Sequence, residues 1–170
     1  MANYIYPAPG VSNVEATLKV HYTSKAADAT GLDLPSLQDI TVNAANDVFT
    51  WTQLDAGAKK QIATTATNSL GMNLVVNQES FFGTGSSPTT TAAGAGVFGL
   101  STQKARVQFD LYLGDRSDTT DSDTSDAGKF ISGFGYITGL APTVSADSPV
   151  WVSPITITVD SDYAVSNSAL

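Results

Sequence analysis

Two β-patterned segments near the end of the chain, residues 129–138 and 150–161, constrain its fold more than any other feature. In the second, Ile155, Ile157 and Val159 alternate with Thr156 and Thr158, the period-two pattern of a strand with one buried face. The first contains Phe130-Ile131-Ser132-Gly133-Phe134-Gly135-Tyr136-Ile137-Thr138. Its aromatic and β-branched residues favour a strand, and its two interior glycines predict a bulge, a sharp bend or the close approach of another backbone. Pro154 donates no ladder hydrogen bond, so its strand must be an edge there or locally bulged.

The same alternation recurs upstream. Val14, Ala16, Leu18, Val20 and Tyr22 alternate with Glu15, Thr17, Lys19 and His21. Val107, Phe109, Leu111 and Leu113 alternate with Arg106, Gln108, Asp110 and Tyr112. Short β segments at 40–42 and 48–51 flank a turn at 43–47. Segments 62–67 and 70–76 read as a hairpin closed at Asn68-Ser69, with Leu70, Met72, Leu74 and Val76 on one face. Residues 83–99, rich in Gly, Ser, Thr and Ala, read as a loop carrying a short helix around 92–100, where each glycine costs about 1 kcal/mol relative to Ala. Trp51 and Trp151 lie within β segments and are expected in the core. Seven or eight strands with one short flanking helix predict an all-β chain, a β-sandwich or small barrel. A length of 170 residues with 42% hydrophobic content suits one domain, 1–170, with an N-terminal arm at 1–12 and a C-terminal tail at 163–170.

Composition narrows the function classes. Only 14% of the residues are charged, against about a quarter in an average domain, which suits a surface buried in assembly. A net charge of −8, with Lys59-Lys60 the one adjacent basic pair, argues against nucleic-acid binding by counterion release. Without cysteine there is no disulfide framework, thiolate metal site or cysteine nucleophile. The single histidine, His21, sits on the polar face of a regular strand, where a solvated or interface role is expected over acid-base catalysis. Residues 94–99 match the letters of GxGxxG without a strand leading in or a convincing helix leading out. The chain is therefore read as a non-enzyme with no catalytic, cofactor or metal residues. In the acidic loop, Asp115, Asp118, Asp121, Asp123 and Asp126 are oxygen donors of the type calcium prefers. Their spacing misses the EF-hand pattern, and a solvated tip of mutually repelling charges is the favoured reading. No charged-then-apolar leader opens the chain and no apolar run reaches about 18 residues, so a soluble protein made in a cytoplasm is expected.

The order of these features resembles the bacteriophage major tail tube protein family. The resemblance rests on the pair Phe130-x-x-Gly133-x-Gly135-Tyr136-Ile137-Thr138, connector, Val150-x-x-Ser153-x-Ile155-x-Ile157-x-Val159. It implies a subunit of a hexameric ring whose strands build a shared inner β-barrel, with rings stacked into a hollow virion tail tube. It further implies homo-oligomeric contacts, tail terminator and tape-measure partners, synthesis in a bacterial host cytoplasm, and DNA passing through the lumen without specific binding. A negative lumen would repel phosphates, and Glu15, Glu79 and Asp110 are its candidate lining. Tyr4, Tyr6, Asp118, Asp121 and Asp123 are candidate contacts between subunits or rings. Segments 1–12, 83–96, 114–128 and 163–170 are expected to order on neighbours, so deleting 1–12 should spare the fold and impair polymerisation. The rival reading is a β-sandwich binding module, an adhesin or virion decoration domain, with Tyr4, Tyr6, Phe81 and Phe82 as its exposed aromatics.

Overall fold

The computed structural model describes residues 17–34, 37–53, 56–83, 95–113, 129–146 and 148–166. Its strands are β1 (Thr17–Tyr22), β2 (Leu32–Leu34), β3 (Leu37–Asn43), β4 (Asn46–Gln53), β5 (Ala56–Thr65) and β6 (Ser69–Val75). After a short π-helix at Gln78–Phe82 and helix α1 (Val97–Thr102) come β7 (Arg106–Leu113), β8 (Lys129–Leu140), β9 (Thr143–Ser145), β10 (Ser148–Val159) and β11 (Ala164–Ser166). Nine strands form one antiparallel sheet in the order β2-β1-β7-β8-β10-β6-β3, with β9 against β10 and β11 against β8. The chain is all-β as expected, and the sheet is open rather than a closed barrel.

Alternation decides which side chains face inward. Leu18 and Val20 of β1, Leu70, Met72 and Leu74 of β6, Val107, Phe109 and Leu111 of β7, and Ile155, Ile157 and Val159 of β10 join α1 residues Val97 and Leu100 in one buried cluster. In a flat sheet β7 and β3 would lie about 19 Å apart, four strand spacings. Tyr163 nevertheless sets its ring 6.2 Å from that of Phe109 on β7 while its hydroxyl reaches Asn43 O of β3 (2.9 Å) and Ser69 O of β6 (3.0 Å). The sheet therefore curls around its own core, and Tyr163 bridges the two sides.

The interior glycines of β8 mark close approaches. A Cβ on Gly133 would stand 2.8 Å from Phe109 Cζ, and one on Gly135 would run into the backbone carbonyl of Thr158. β8 thus pairs with β7 along its first part and with β10 along its second, so its backbone must pass close to both. β10 lies inside the sheet, not at its edge. On its β8 side the ladder starts only at Ile155, and β9 reaches no further than Val152, so Pro154 falls between the two partners. A register shift follows between Thr156 and Ile157, in keeping with the bulge expected near the proline.

Two local expectations are corrected. Residues 43–47 do not fold β3 back on β4, and Asn68-Ser69 does not close β5 on β6. Instead β3 pairs with β6 up to Asn43–Ser69, and the same two segments continue as the β4–β5 pair from Asn46–Thr65. Asn68 Oδ1 accepts the Ala45 amide at 2.9 Å across this break, so the residue read as a turn former ties the two chains together where they leave the sheet. The helix is likewise displaced: α1 begins after Gly96 and runs to Thr102. Gly99 lies buried within it.

Candidate assembly surface

Among the described residues, β4 and β5 pair only with each other and form an arm continuing the β3–β6 ladder. Register places Phe49 opposite Ile62 and Trp51 opposite Lys60 on one face of it, with Val48 opposite Ala63 on the other. Phe49 is 59% exposed, Val48 56% and Ile62 55%, and Phe49 stacks on Trp51 at 5.9 Å. A lone two-stranded ribbon is marginal in water, and burying each of these half-exposed side chains would contribute about 1 kcal/mol. Within residues 46–65, Lys59 and Lys60 balance Asp47 and Asp55, so the net −8 of the chain lies entirely outside this region.

Two further apolar groups are exposed. Val144, Val150 and Trp151 lie at the β9–β10 end, with Trp151 52% exposed. Phe82 and Phe98 form the second group, their ring centroids 6.0 Å apart and each about as far or nearer to Phe81. Neither tryptophan fills the core as expected: Trp151 is exposed, and Trp51 stands on the arm. Phe81, expected among exposed aromatics, is buried at 2%, leaving Phe82 and Phe98 as the accessible rings. The π-helix that positions Phe81 and Phe82 was not anticipated. Its sequence signal is Asn77, whose Oδ1 accepts from Ser80 N and Ser80 Oγ, both at 2.7 Å.

The acidic candidates separate. Glu79 is exposed in the first turn of the π-helix. Asp110 is enclosed at 3% exposure, with Oδ2 3.5 Å from His21 Nε2. Its carboxylate is inaccessible in this chain and does not line an open surface. His21, expected to be solvated or at an interface, is 1% exposed within the chain itself, because the segment after β1 folds back over it. Glu15, Tyr4, Tyr6, Asp118, Asp121 and Asp123, together with the acidic loop 115–126, lie outside the described residues. Among the described residues no group of three or more His, Cys, Asp or Glu could hold a metal ion, and no helix is long and apolar enough to cross a membrane.

No family model matches the sequence, and no curated protein matches it. Among solved structures, a chain of the PVC sheath-tube complex of an extracellular contractile injection system in the extended state is similar. It has 13% identity and a TM-score of 0.48, with 95% of this chain and 92% of that one covered. The tube-terminating cap of the anti-feeding prophage is similar at 13% identity and a TM-score of 0.47, covering 99% of this chain and 96% of that one. Both descriptions are of tube assemblies.

Proposed function

We propose that this chain is a structural subunit that assembles with copies of itself into stacked rings, forming the hollow tube of a phage or phage-like tail. The observation that carries this reading is the β4–β5 arm, whose two strands pair only with each other among the described residues and hold Val48, Phe49 and Ile62 in solvent. Such a ribbon gains stability on a neighbour. A second copy is the fitting neighbour because the arm is neutral: it can approach a chain of net charge −8 without the repulsion that two acidic surfaces would meet. The open sheet adds to the case, since among the described residues its end strands β2 and β3 have no neighbour on their outer sides and could pair in a ring. The finer reading is a hexameric ring with a negative lumen through which DNA passes into the host cell.

The test is negative-stain electron microscopy across a concentration series, with the wild type beside a Phe49→Ser, Ile62→Ser double variant. Wild-type rings or tubes, with a folded and dispersed double variant, are expected. A double variant that assembles as well as the wild type removes the arm from the mechanism. A wild type that stays monomeric while retaining a surface ligand on glycan or cell-binding assays favours the binding module.

A further inference from the structure

The β4–β5 arm and the β9–β10 end stand at opposite ends of the same strands. β6 opens at Ser69, opposite Asn43 of β3, and closes at Val75, opposite Val152 of β10. The arm leaves the sheet at the first of these levels, where the β3–β6 ladder gives way to the Asn46–Thr65 pair. At the second level Val76 N donates to Trp151 O at 2.8 Å, and β10 projects beyond β6 with β9 as its partner. The chain from Ser69 to Val76 spans about 23 Å when extended. The arm continues outward from the far side of that span, so it presents its faces to other copies and not to its own β9–β10 end.

The two ends match in chemistry. On one face of the arm Phe49 and Trp51 stack beside Ile62 and Lys60. Asp47 shares this face nearer the sheet, while Lys60 stands further out and is exposed. At the β9–β10 end Trp151, Val144 and Val150 are each about half exposed. Segments 37–43, 69–82 and 143–159, which lead to that end, contain no Lys or Arg. Asp39 of β3 and Glu79 of the π-helix are exposed there, Asp39 accepting from Asn73 Nδ2 at 2.8 Å. An incoming Lys60 therefore finds carboxylates and an indole face with no cation on those segments to compete. Phe82 and Phe98 are a poorer receiver, since both rings already pack against Phe81 and each other.

Building on the self-assembly proposed above, we propose that the arm of one copy docks on the β9–β10 end of a second copy. The face of Phe49, Trp51 and Ile62 covers Trp151 and Val144, and Lys60 turns toward the acidic side chains. A copy displaced along the strands, without rotation, brings the two surfaces together. The contact is heterologous, because arm and receiver are different surfaces, and each docking leaves one free arm and one free β9–β10 end. It therefore propagates along the strand direction and does not close on itself. The outer sides of β2 and β3 lie across that direction. Strand ends then join one ring to the next, and the two end strands of the sheet are left for neighbours within a ring.

The chain has no cysteine, so single cysteines report the contact. Thr64→Cys lies on the docking face of the arm opposite Asp47, Ser145→Cys lies on β9 beside Val144, and Thr102→Cys, on the last turn of α1 near Phe98, is the control. The full-length Thr64→Cys chain is mixed with each of the other two, assembled, checked for rings and tubes by negative-stain microscopy, and treated with a short bis-maleimide. Cross-linked peptides are identified by mass spectrometry. The expected yield of the 64–145 link is about tenfold above that of the 64–102 link, because docking raises the local thiol concentration. Trp151→Ser, with an unchanged circular dichroism spectrum, should give rings that fail to stack. Tubes that carry the 64–102 link instead, or neither link, overturn this docking and leave self-assembly standing, as do Trp151→Ser tubes as long as the wild type. A wild type that forms neither rings nor tubes overturns self-assembly and this contact with it. If Trp151→Ser does not fold, the cross-links decide.

Discussion

Replacing Tyr163 by Phe removes one oxygen and tests how the curled sheet is held. The Tyr163 hydroxyl has a single hydrogen, shared between Asn43 O at 2.9 Å and Ser69 O at 3.0 Å, and these two residues are partners at the last rung of the β3–β6 ladder. A neutral hydrogen bond contributes about 1 kcal/mol net, so Tyr163→Phe should lower stability by about 1 kcal/mol and Tm by about 3 °C for a chain of this size. Tyr163→Ala also forfeits the edge contact with Phe109 and part of the ring's burial, for a total of about 3 kcal/mol. Thermal and urea unfolding followed by circular dichroism measure both. The hydroxyl has a pH signature as well. Burial pushes the Tyr163 phenol above 10.0, so the folded state keeps a proton that the unfolded chain has given up. Its contribution is complete below pH 10 and is lost as pH rises through the higher folded value. The stability gap between wild type and Tyr163→Phe should therefore narrow only above pH 10. A Phe variant as stable as the wild type, or a gap that begins to close near neutrality, would refute the claim that this phenol pins the two sides of the sheet.

Other substitutions test neighbouring inferences. Gly31→Ala forces a side chain into a left-handed backbone and against the His21 ring; a loss of about 2 kcal/mol is expected in urea unfolding. Gly135→Ala drives a methyl into the Thr158 carbonyl and should cost about 1–3 kcal/mol. In contrast, a Cβ at Gly71 meets nothing within 4 Å, so Gly71→Ala should raise stability by about 0.5 kcal/mol through the unfolded chain. Leu70→Ala opens a cavity at a fully buried core position and should cost about 3 kcal/mol.

Alternation made the core faces legible. Leu18, Val20, Leu70, Met72, Leu74, Val107, Phe109, Leu111, Ile155 and Ile157 are all buried on the parity their sequence predicts, because a strand with one apolar face has only one way to bury it. Pairing was less legible. The stretch 56–65, Ala-Gly-Ala-Lys-Lys-Gln-Ile-Ala-Thr-Thr, has no alternation because neither face of the arm meets the core, so its pairing with β4 leaves no hydrophobic trace. The same lack of a trace let Asn68-Ser69 pass for a hairpin turn when it marks a change of sheet. His21 was misplaced for a related reason. Periodicity identifies which side of a strand a residue occupies, but the covering segment 23–31 acts through Asp28 and a left-handed Gly31, features of backbone geometry rather than of residue type. The candidate site was legible only as composition, since exposure of Phe49 and Ile62 depends on what the arm fails to touch.

The distribution of exposed apolar side chains bears on the kind of assembly the chain can form. Val48, Phe49 and Ile62 stand on the arm, Val144, Val150 and Trp151 at the β9–β10 end, and Phe82 with Phe98 beside the π-helix. A two-fold dimer needs one self-complementary patch. A ring built from head-to-tail contacts needs two different, complementary patches, and stacking such rings needs more surface above and below. Apolar exposure divided among these three places, with Val165 of β11 a further exposed residue, fits the second demand better than the first. Because the arm is built from chain that has already left the sheet, its docking can strengthen or weaken without disturbing the core. Phe49→Ser with Ile62→Ser should therefore separate assembly from folding.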